Sequence, residues 1–351
     1  MSTPRTLLFA MAAVLAAHVS PALAASECAS SPYHQAHSAL SFRVDNDLFG
    51  GEDQDQGYTN GALLSVTSPN LVAFADDACM SRPAKWLHQQ IERHHPGVYD
   101  QQNMVFTVGQ GLFTPEDAER SDLIRDDRPY AAILMASWGY IARNDRSLVT
   151  TQVQLGVIGP WALGEESQEA VHHVIDSEKF NGWDHQLRNE PLLGVIHERM
   201  QRWRSEGARN GGWGWDAVSH WGGSLGNRAT YANAGAELRF GWHLPDDFGS
   251  TPVRPTGENT LSDQDHRQGW SWHLFATTDA RWVLRDITLD GNTFRNSHSV
   301  DRRPLVADLG YGIAVTRGRW KFSLARYHRT REFDQQRELP VYGSFTISKM
   351  F

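Results

Sequence analysis

The chain of 351 residues carries a net charge of −8 and has a pI near 6.0, which leaves no basic footprint for binding nucleic acid. Its mean hydropathy is −0.49, and no run of about 18 apolar residues follows the N-terminal segment, so membrane-spanning helices are excluded. A membrane span, if this chain has one, must therefore be built from strands.

The N-terminal segment has the pattern of a cleaved export signal. Arg5 precedes an apolar run from Leu7 to Ala17, and Pro21-Ala22-Leu23-Ala24 offers small residues at both positions that signal peptidase inspects. We therefore expect a signal peptide at residues 1–24. Residues 25–351 are expected to form a single domain, because no repeat, low-complexity tract or linker divides them.

Two cysteines, Cys28 and Cys79, belong to the exported part of the chain. In an oxidising compartment, one intramolecular disulfide between them is the expected state. Ser26 and Glu27 stand where a lipidation motif would need other residues, so no lipid anchor is expected at Cys28.

Alternating side chains predict the strands. Residues 231–244 and 341–351 alternate apolar with polar or small side chains most clearly, as a barrel wall or a half-buried sheet requires. Charged residues on the inner face are costly in a dry core but ordinary in a hydrated lumen. We predict an all-β fold, a 12-stranded antiparallel transmembrane β-barrel in a bacterial outer membrane. The strands are predicted near 38–46, 58–67, 103–111, 129–141, 147–158, 191–203, 213–225, 230–244, 269–284, 304–317, 319–330 and 341–351.

Strand parity sets the two sides of this barrel. If the chain starts in the periplasm, the odd connections face outside, and a helix predicted from about residue 165 to 179 belongs to the third outer loop. Cys28 and Cys79 then share the periplasmic side, which makes their disulfide sterically plausible. The polar residues that could take part in catalysis or binding are predicted on the opposite rim: Asp45, Asn46, Asp47, Asp53, Asp55, Tyr58, Thr59, Arg120, Arg125, Arg128, His172, Glu178, Trp183, His185 and Gln186.

Several motifs on that rim match a known family in order and spacing. These motifs are Asp45-Asn46-Asp47, Asp55-x-Gly57-Tyr58-Thr59-x-Gly61, Phe113-Thr114-Pro115, Asp127-Arg128-Pro129-Tyr130 and Gly156-x-Ile158-Gly159-Pro160, followed twelve residues later by His172. With them the chain resembles the outer-membrane lipid A 3'-O-deacylases from the first strand to the third outer loop. Its departures are Ala132, where the family pattern leads us to expect glycine, and residues 69–102, which look like an enlarged periplasmic turn.

The resemblance implies an enzyme that uses calcium to hydrolyse the ester holding the 3'-linked acyloxyacyl group of lipid A, the membrane anchor of lipopolysaccharide. By position, His172 would be the general base, and Asn46, Asp47 and Thr59 would line the site. Glu178 would assist from the same loop, although it lies about 240° from His172 on a continuous helix. Arg120, Arg125 and Arg128 would hold the phosphates of the lipid A headgroup, or form a solvated charge run.

The residue types also suit this chemistry without the family. Ester hydrolysis needs an activated water and a stabilised oxyanion, which a neutral imidazole and a bound dication can supply. Calcium prefers oxygen ligands, and Asp47 is the candidate metal ligand, although Asp45-Asn46-Asp47 also suits a simple turn. His172 is one of 16 histidines, so position alone does not make it a base.

Two rival functions stay open at this point. One is an outer-membrane phospholipase with a serine nucleophile, for which His220 and Ser224 offer only a loose pairing and no Gly-x-Ser-x-Gly occurs. The other is a passive, porin-like barrel, although twelve strands leave a narrow interior that large side chains can block. We expect a monomer that contacts outer-membrane lipid.

Overall fold

The computed structural model of the chain describes residues 28, 31, 33, 36, 38–46, 57–95, 99–175, 180–250 and 269–351. Within these ranges twelve antiparallel strands follow one another around a closed barrel, and the last strand pairs with the first. The predicted fold class is confirmed. The strands are β1 (Ala39–Asn46), β2 (Gly57–Thr67), β3 (Gln101–Thr114), β4 (Ala131–Arg143), β5 (Ser147–Ile158), β6 (Glu190–Arg204), β7 (Trp213–Gly226), β8 (Ala229–Trp242), β9 (Trp270–Asp286), β10 (Leu305–Arg317), β11 (Trp320–Arg329) and β12 (Val341–Met350).

Helices occupy the connections. They are α1 (Arg82–His94), α2 (Gly164–Ile175), α3 (Glu206–Arg209) and α4 (Ile287–Asp290), with 3-10 turns at Val72–Phe74, Pro160–Ala162 and Trp183–His185. The helix predicted in the third outer loop is present as α2, whereas α1 was not predicted. None of the described helices is long and apolar enough to cross a membrane.

The wall alternates as the sequence predicts. In β12 the side chains of Tyr342, Ser344 and Thr346 are buried on the lumen side, while Phe345 is exposed on the outer face. In β8 the side chains of Glu237 and Arg239 are buried inside the barrel, and the residues directly before and after each of them are exposed on the outer face. This division is that of a barrel with a polar interior and an apolar outer surface.

Tryptophans mark the two ends of the outer surface. We call the end where β1 begins and β12 finishes the periplasmic end, following the strand parity, and the opposite end the outer end. Trp282 is exposed towards the outer end of β9, while most exposed tryptophans lie towards the periplasmic end, as expected for residues at a membrane interface. The latter are Trp203, Trp213, Trp215, Trp242, Trp270 and Trp320.

The start of the β8–β9 connection fills the lumen near the periplasmic end. Leu244, Asp247 and Phe248 are fully buried there. The Phe248 ring packs under the guanidinium groups of Arg143 and Arg202. These side chains occupy the interior at a level where a passive pore would need open, water-filled space. The apolar neighbours of Phe248 are Val105, Ile141, Leu148, Met200 and Val218.

A buried ion cluster ties this plug to the wall. Arg239 donates through Nε to Asp216 Oδ1 at 2.7 Å and forms an ion pair with Asp247. Lys321 Nζ reaches the second Asp247 carboxylate oxygen at 2.9 Å. All four side chains are buried, so each charge depends on its partners for compensation.

We expect Arg239→Met to destabilise the barrel by about 3–5 kcal/mol, because it leaves Asp216 and Asp247 buried with too few cations. Urea unfolding in lipid vesicles, followed by tryptophan fluorescence, measures the change. The control is Arg319→Met in the exposed β10–β11 turn, which should shift stability by less than about 0.5 kcal/mol. Equal stability of the two variants would contradict the assigned role of the cluster.

The predicted disulfide is present between Cys28 and Cys79, whose Cα atoms are 5.4 Å apart. Ser31 Oγ donates to Asp77 Oδ2 at 2.6 Å close by. Tyr33 packs with the apolar residues that precede and begin α1. The disulfide therefore fastens the chain before β1 to the β2–β3 connection, on the side that strand parity predicted.

Candidate active site on the outer wall

The first two residues of the Asp45-Asn46-Asp47 motif lie on opposite faces of the wall. Asp45 faces the lumen, where its carboxylate accepts from Tyr58 OH at 3.0 Å and from Ser344 Oγ at 2.6 Å. Asn46 follows it on the opposite face, the face on which Phe42 is exposed. Asn46 therefore points away from the lumen at the outer end of β1, where it is buried.

A bulge at the start of β2 completes this corner. The β2–β3 register shifts between Tyr58 and Asn60, so Tyr58 reaches the lumen while Thr59 turns its hydroxyl to Thr114 Oγ1, 2.6 Å away. Asn46 Nδ2 donates to the Thr59 carbonyl oxygen at 3.3 Å and to Asn60 Oδ1. We call these four residues, Asn46, Thr59, Asn60 and Thr114, the outer-wall corner.

The third outer loop lies against the same wall. Helix α2 packs beside β3 and β4. Gln110 of β3 donates through Nε2 to the Ala162 carbonyl oxygen at 2.5 Å, just before the helix begins. Within α2, the Gln168 side chain accepts from Trp183 Nε1 at 2.7 Å. The loop is thus fixed on the outside of the barrel by a cluster of Leu112, Tyr130, Ala132, Ala162, Phe180 and Trp183.

Tyr130 is a packing residue in this cluster. Its ring contacts Phe180 and Trp183 with centroid distances of 6.2 and 5.2 Å. Burial raises the pKa of Tyr130 to about 12. The phenol is therefore neutral near pH 7 and does not serve as a base.

Comparison with known proteins identifies the family of this barrel. The sequence profile of the family described as outer membrane protein LpxR matches residues 7–351. The chain belongs to the LpxR family. The resemblance found in the sequence and the outer-membrane location are thereby confirmed at the level of the family.

A similar solved structure shares the barrel fold. LpxR from Salmonella typhimurium is 20% identical, with a TM-score of 0.71 over 89% of this chain and 100% of that one. The β domain of the Bordetella autotransporter BrkA is 10% identical over 90% of this chain and 98% of its own, with a TM-score of 0.41. A search of curated proteins gives no match.

The structure describes only some of the predicted site residues. Asn46 and Thr59 meet in the outer-wall corner. His172 lies in α2, the helix that packs beside β3 and β4, but its side chain is outside the described part. Asp47 and Glu178 also lie outside the described residues. Their assigned roles stay predictions.

The three predicted phosphate-binding arginines separate. Arg120 is exposed beside Asp122, with Arg120 Nη2 2.7 Å from Asp122 Oδ2, and Arg125 is exposed as well. Arg128 instead is buried at the outer end of the lumen, where Nη1 donates to Glu332 Oε2 and Nη2 to Thr288 Oγ1, both at 3.1 Å. Arg128 is thus committed to an internal pair, and phosphate binding is better suited to the other two.

Glu332 shows how strong that internal pair is. Burial alone would raise the pKa of its carboxyl group, but the Arg329 and Arg128 guanidinium groups outweigh burial and hold the pKa of Glu332 below its ordinary value. The carboxylate therefore stays charged at neutral pH and fixes the loop after β11 over the lumen. Arg128 also stacks over the Phe113 ring at 4.9 Å.

The corner suits a hard cation in ligand type. Asn46, Thr59 and Thr114 supply amide, hydroxyl and carbonyl oxygens, which calcium accepts and zinc does not favour. Within the described ranges no group of three or more His, Cys, Asp or Glu side chains could hold a metal ion. The carboxylates of such a site would have to come from Asp47 and its neighbours, which lie outside those ranges.

Two residues of the corner were not among the predicted site residues. Thr114 occurred in a matched motif without a role, and Asn60 lay between two motif positions. The pairing of β1, β2 and β3 brings them into the corner, and this pairing cannot be derived from a single sequence.

Gly164 at the start of α2 gives a test of loop docking. A Cβ atom there would lie 2.3 Å from Ala132 Cβ and 2.9 Å from the Trp183 ring. We expect Gly164→Val to weaken docking of the third outer loop by about 1–3 kcal/mol through overpacking. Limited proteolysis within residues 159–190 should become faster while the barrel melts unchanged.

The matched control for this test is Gly212→Val in the β6–β7 connection, where only the Gly207 carbonyl oxygen lies near, at 3.7 Å. It should leave cleavage of the third loop as in the parent. Unchanged protection in Gly164→Val would show that the wall contact does not hold the loop in place.

Proposed function

We propose that this protein is a calcium-dependent esterase, a lipid A 3'-O-deacylase, which hydrolyses the 3'-linked acyloxyacyl group of lipid A in the outer leaflet. LpxR-family membership supports the reaction class. Export by the signal peptide at residues 1–24 and a monomeric state belong to the same proposal.

The observation that carries the proposal is the position of the outer-wall corner. Asn46 and Thr59 meet at the outer end of β1 and β2, buried on the outward side of the wall, and α2 packs beside the neighbouring β3 and β4. Exposed Phe42 and Leu64 lie below them on that face. A lipid whose ester sits between its sugar headgroup and its acyl chains would meet this corner from the bilayer, without entering the lumen.

The residues would divide the reaction as follows. His172 would take a proton from the attacking water through its neutral imidazole. The Thr59 hydroxyl and the Asn46 amide would position the water or the ester oxygen, and the bulge fixes both at the corner. Glu178 would orient groups from the loop. Calcium, held by Asp47 with oxygens of the corner, would supply electrostatic stabilisation of the developing negative charge.

Arg120 and Arg125 would act on the substrate at a distance from the ester. Both are exposed in the second outer loop, and guanidinium groups bind phosphate in a forked geometry. Their contribution would be substrate affinity, because they lie apart from the corner.

The serine-nucleophile alternative has poor geometry. His220 and Ser224 are four residues apart on one extended strand, a separation of roughly 13 Å. His220 Nε2 is 2.8 Å from Asp279 Oδ1, and Ser224 Oγ donates to the Ala229 carbonyl oxygen. Ser250 Oγ does lie 2.6 Å from His273 Nε2, but both are buried in the lumen beside the plug, where a lipid has no access.

Purified protein offered lipid A or phosphatidylethanolamine in matched mixed micelles tests the proposal. We expect release of the 3'-acyloxyacyl chain from lipid A with calcium present, and no fatty acid from phosphatidylethanolamine. Comparable hydrolysis of phosphatidylethanolamine would instead assign the protein as a phospholipase, and release from neither lipid would contradict an esterase.

A further inference from the structure

A polar patch interrupts the lipid-facing surface of β6. Ile196, Glu198 and Met200 are buried on the inner side of this strand, so His197 and Arg199 between them face outward. Arg199 is exposed, and it lies in the half of β6 nearer the periplasmic end. A charged side chain facing lipid is costly and needs a compensating partner.

The partners that the described residues supply to this patch are an aromatic ring, an imidazole and a hydroxyl group. The Arg199 guanidinium lies 5.6 Å from the Trp221 ring centroid, and its Nε is 3.5 Å from His197 Nε2. His197 Nδ1 is 2.8 Å from Thr151 Oγ1. In the described part of the chain, no carboxylate forms an ion pair with Arg199. The patch therefore presents a cation whose counter-charge must come from outside the wall.

Helix α1 lies next to the patch on the same outer surface. Its Leu87 and Ile91 pack on Ala142 and Val149, and Val149 is the cross-strand neighbour of Arg199. Trp86 is 52% exposed and stacks on the Trp138 ring at 6.0 Å. The helix thus covers the wall at the periplasmic end of β3, β4 and β5, at the level where lipid headgroups meet acyl chains.

The charge of α1 matches that of the patch. Its exposed basic residues are Arg82, Lys85 and Arg93, while Glu92 accepts from Gln102 Nε2 of β3. Burial, together with nearby Arg199 and His94, lowers the pKa of His95 below its ordinary value. A basic amphipathic helix with a tryptophan at its edge is typical of a surface that binds anionic lipid.

We propose that α1 and the His197–Arg199 face form a binding site for an anionic phospholipid of the periplasmic leaflet. The guanidinium would hold the lipid phosphate, the basic side of α1 would attract the headgroup, and Trp86 and Trp221 would border the acyl chains. A diacyl lipid is the occupant because the patch opens onto the part of the wall that the bilayer covers. This site lies on a different face and at the other end of the barrel from the outer-wall corner.

Native mass spectrometry of the full-length mature protein in detergent tests this site. Phosphatidylglycerol and phosphatidylcholine with identical acyl chains are titrated separately, and inorganic phosphate is added as a competitor. We expect one phosphatidylglycerol to bind at least ten-fold more tightly than phosphatidylcholine. The double substitution His197→Gln and Arg199→Gln should remove that preference.

The matched control is Arg317→Gln. Arg317 is also an exposed arginine near the periplasmic end, 4.8 Å from the Trp270 ring, and among the described residues no helix comparable to α1 lies beside it. It should retain the ten-fold preference. Equal loss in the control, an unchanged preference in the double variant, or full displacement by inorganic phosphate would each overturn the proposal.

The variants are compared only as folded barrels, shown by heat-modifiable migration on gels. The double variant is expected to keep deacylating lipid A, whereas His172→Ala should keep its phosphatidylglycerol preference. The lipid site and the proposed activity can therefore fail independently of one another.

Discussion

Replacing His172 by alanine is expected to lower the rate of lipid A deacylation by about 10²–10⁴-fold, the usual contribution of a general base. Without the imidazole, no group at this position takes the proton of the attacking water. The barrel should be unaffected, because its closure depends on strand pairing and not on α2. Initial rates of acyl release from lipid A, measured by mass spectrometry on purified protein, give the effect.

The adjacent His173 provides the control. Neighbouring residues of a helix point about 100° apart, so both histidines cannot address the same ester. His173→Ala should keep activity within a few-fold of the parent. Full activity in His172→Ala, or an equal loss in both variants, would refute the assignment of the base.

Removal of calcium should abolish activity, because in the proposed chemistry the cation supplies the main charge that stabilises the oxyanion. EDTA is expected to abolish the deacylation activity of the purified enzyme, and excess calcium should restore that activity. Asp47→Ala should shift the calcium dependence to higher concentration, since calcium sites are tuned by the number of charged ligands.

Magnesium is the control ion in this experiment. It is smaller, demands octahedral geometry and gives up water reluctantly, so it should restore little activity. An enzyme that works in EDTA would show that the metal is incidental. A normal calcium dependence in Asp47→Ala would remove Asp47 from the ligand set while leaving the metal requirement in place.

The barrel was largely predictable because alternation is a local property. Strand β5 has its predicted bounds, 147–158, and β8 differs by at most two residues at either end. In β8 the inward residues are polar or small and the outward ones apolar, so the pattern can be counted directly along the chain.

Helix α1 was not predicted because its apolar residues pack against a surface that the sequence does not reveal. Leu87 and Ile91 do have helical spacing, but in the sequence residues 69–102 look like an enlarged periplasmic turn. The surface that they cover is the outside of the barrel wall. That contact forms only after β3, β4 and β5 have paired.

The candidate residues of the site could be predicted from the sequence, but their spatial arrangement could not. The motif Asp45-Asn46-Asp47 does not show that Asp45 binds Tyr58 and Ser344 inside the lumen while Asn46 binds Thr59 and Asn60. The bulge at Thr59 then decides which side chains join Asn46. The plug around Phe248 was equally hidden, because its sequence resembles an ordinary connection.

The central claim is that the outer-wall corner and the α2 loop deacylate lipid A in the membrane where they reside. The most direct measurement is the mass spectrum of lipid A from cells that make the parent protein, cells that make His172→Ala and cells that lack the gene. We predict loss of the 3'-acyloxyacyl mass only with the parent. An identical acyl pattern in all three, with the parent folded in the outer membrane and calcium present, would contradict the account.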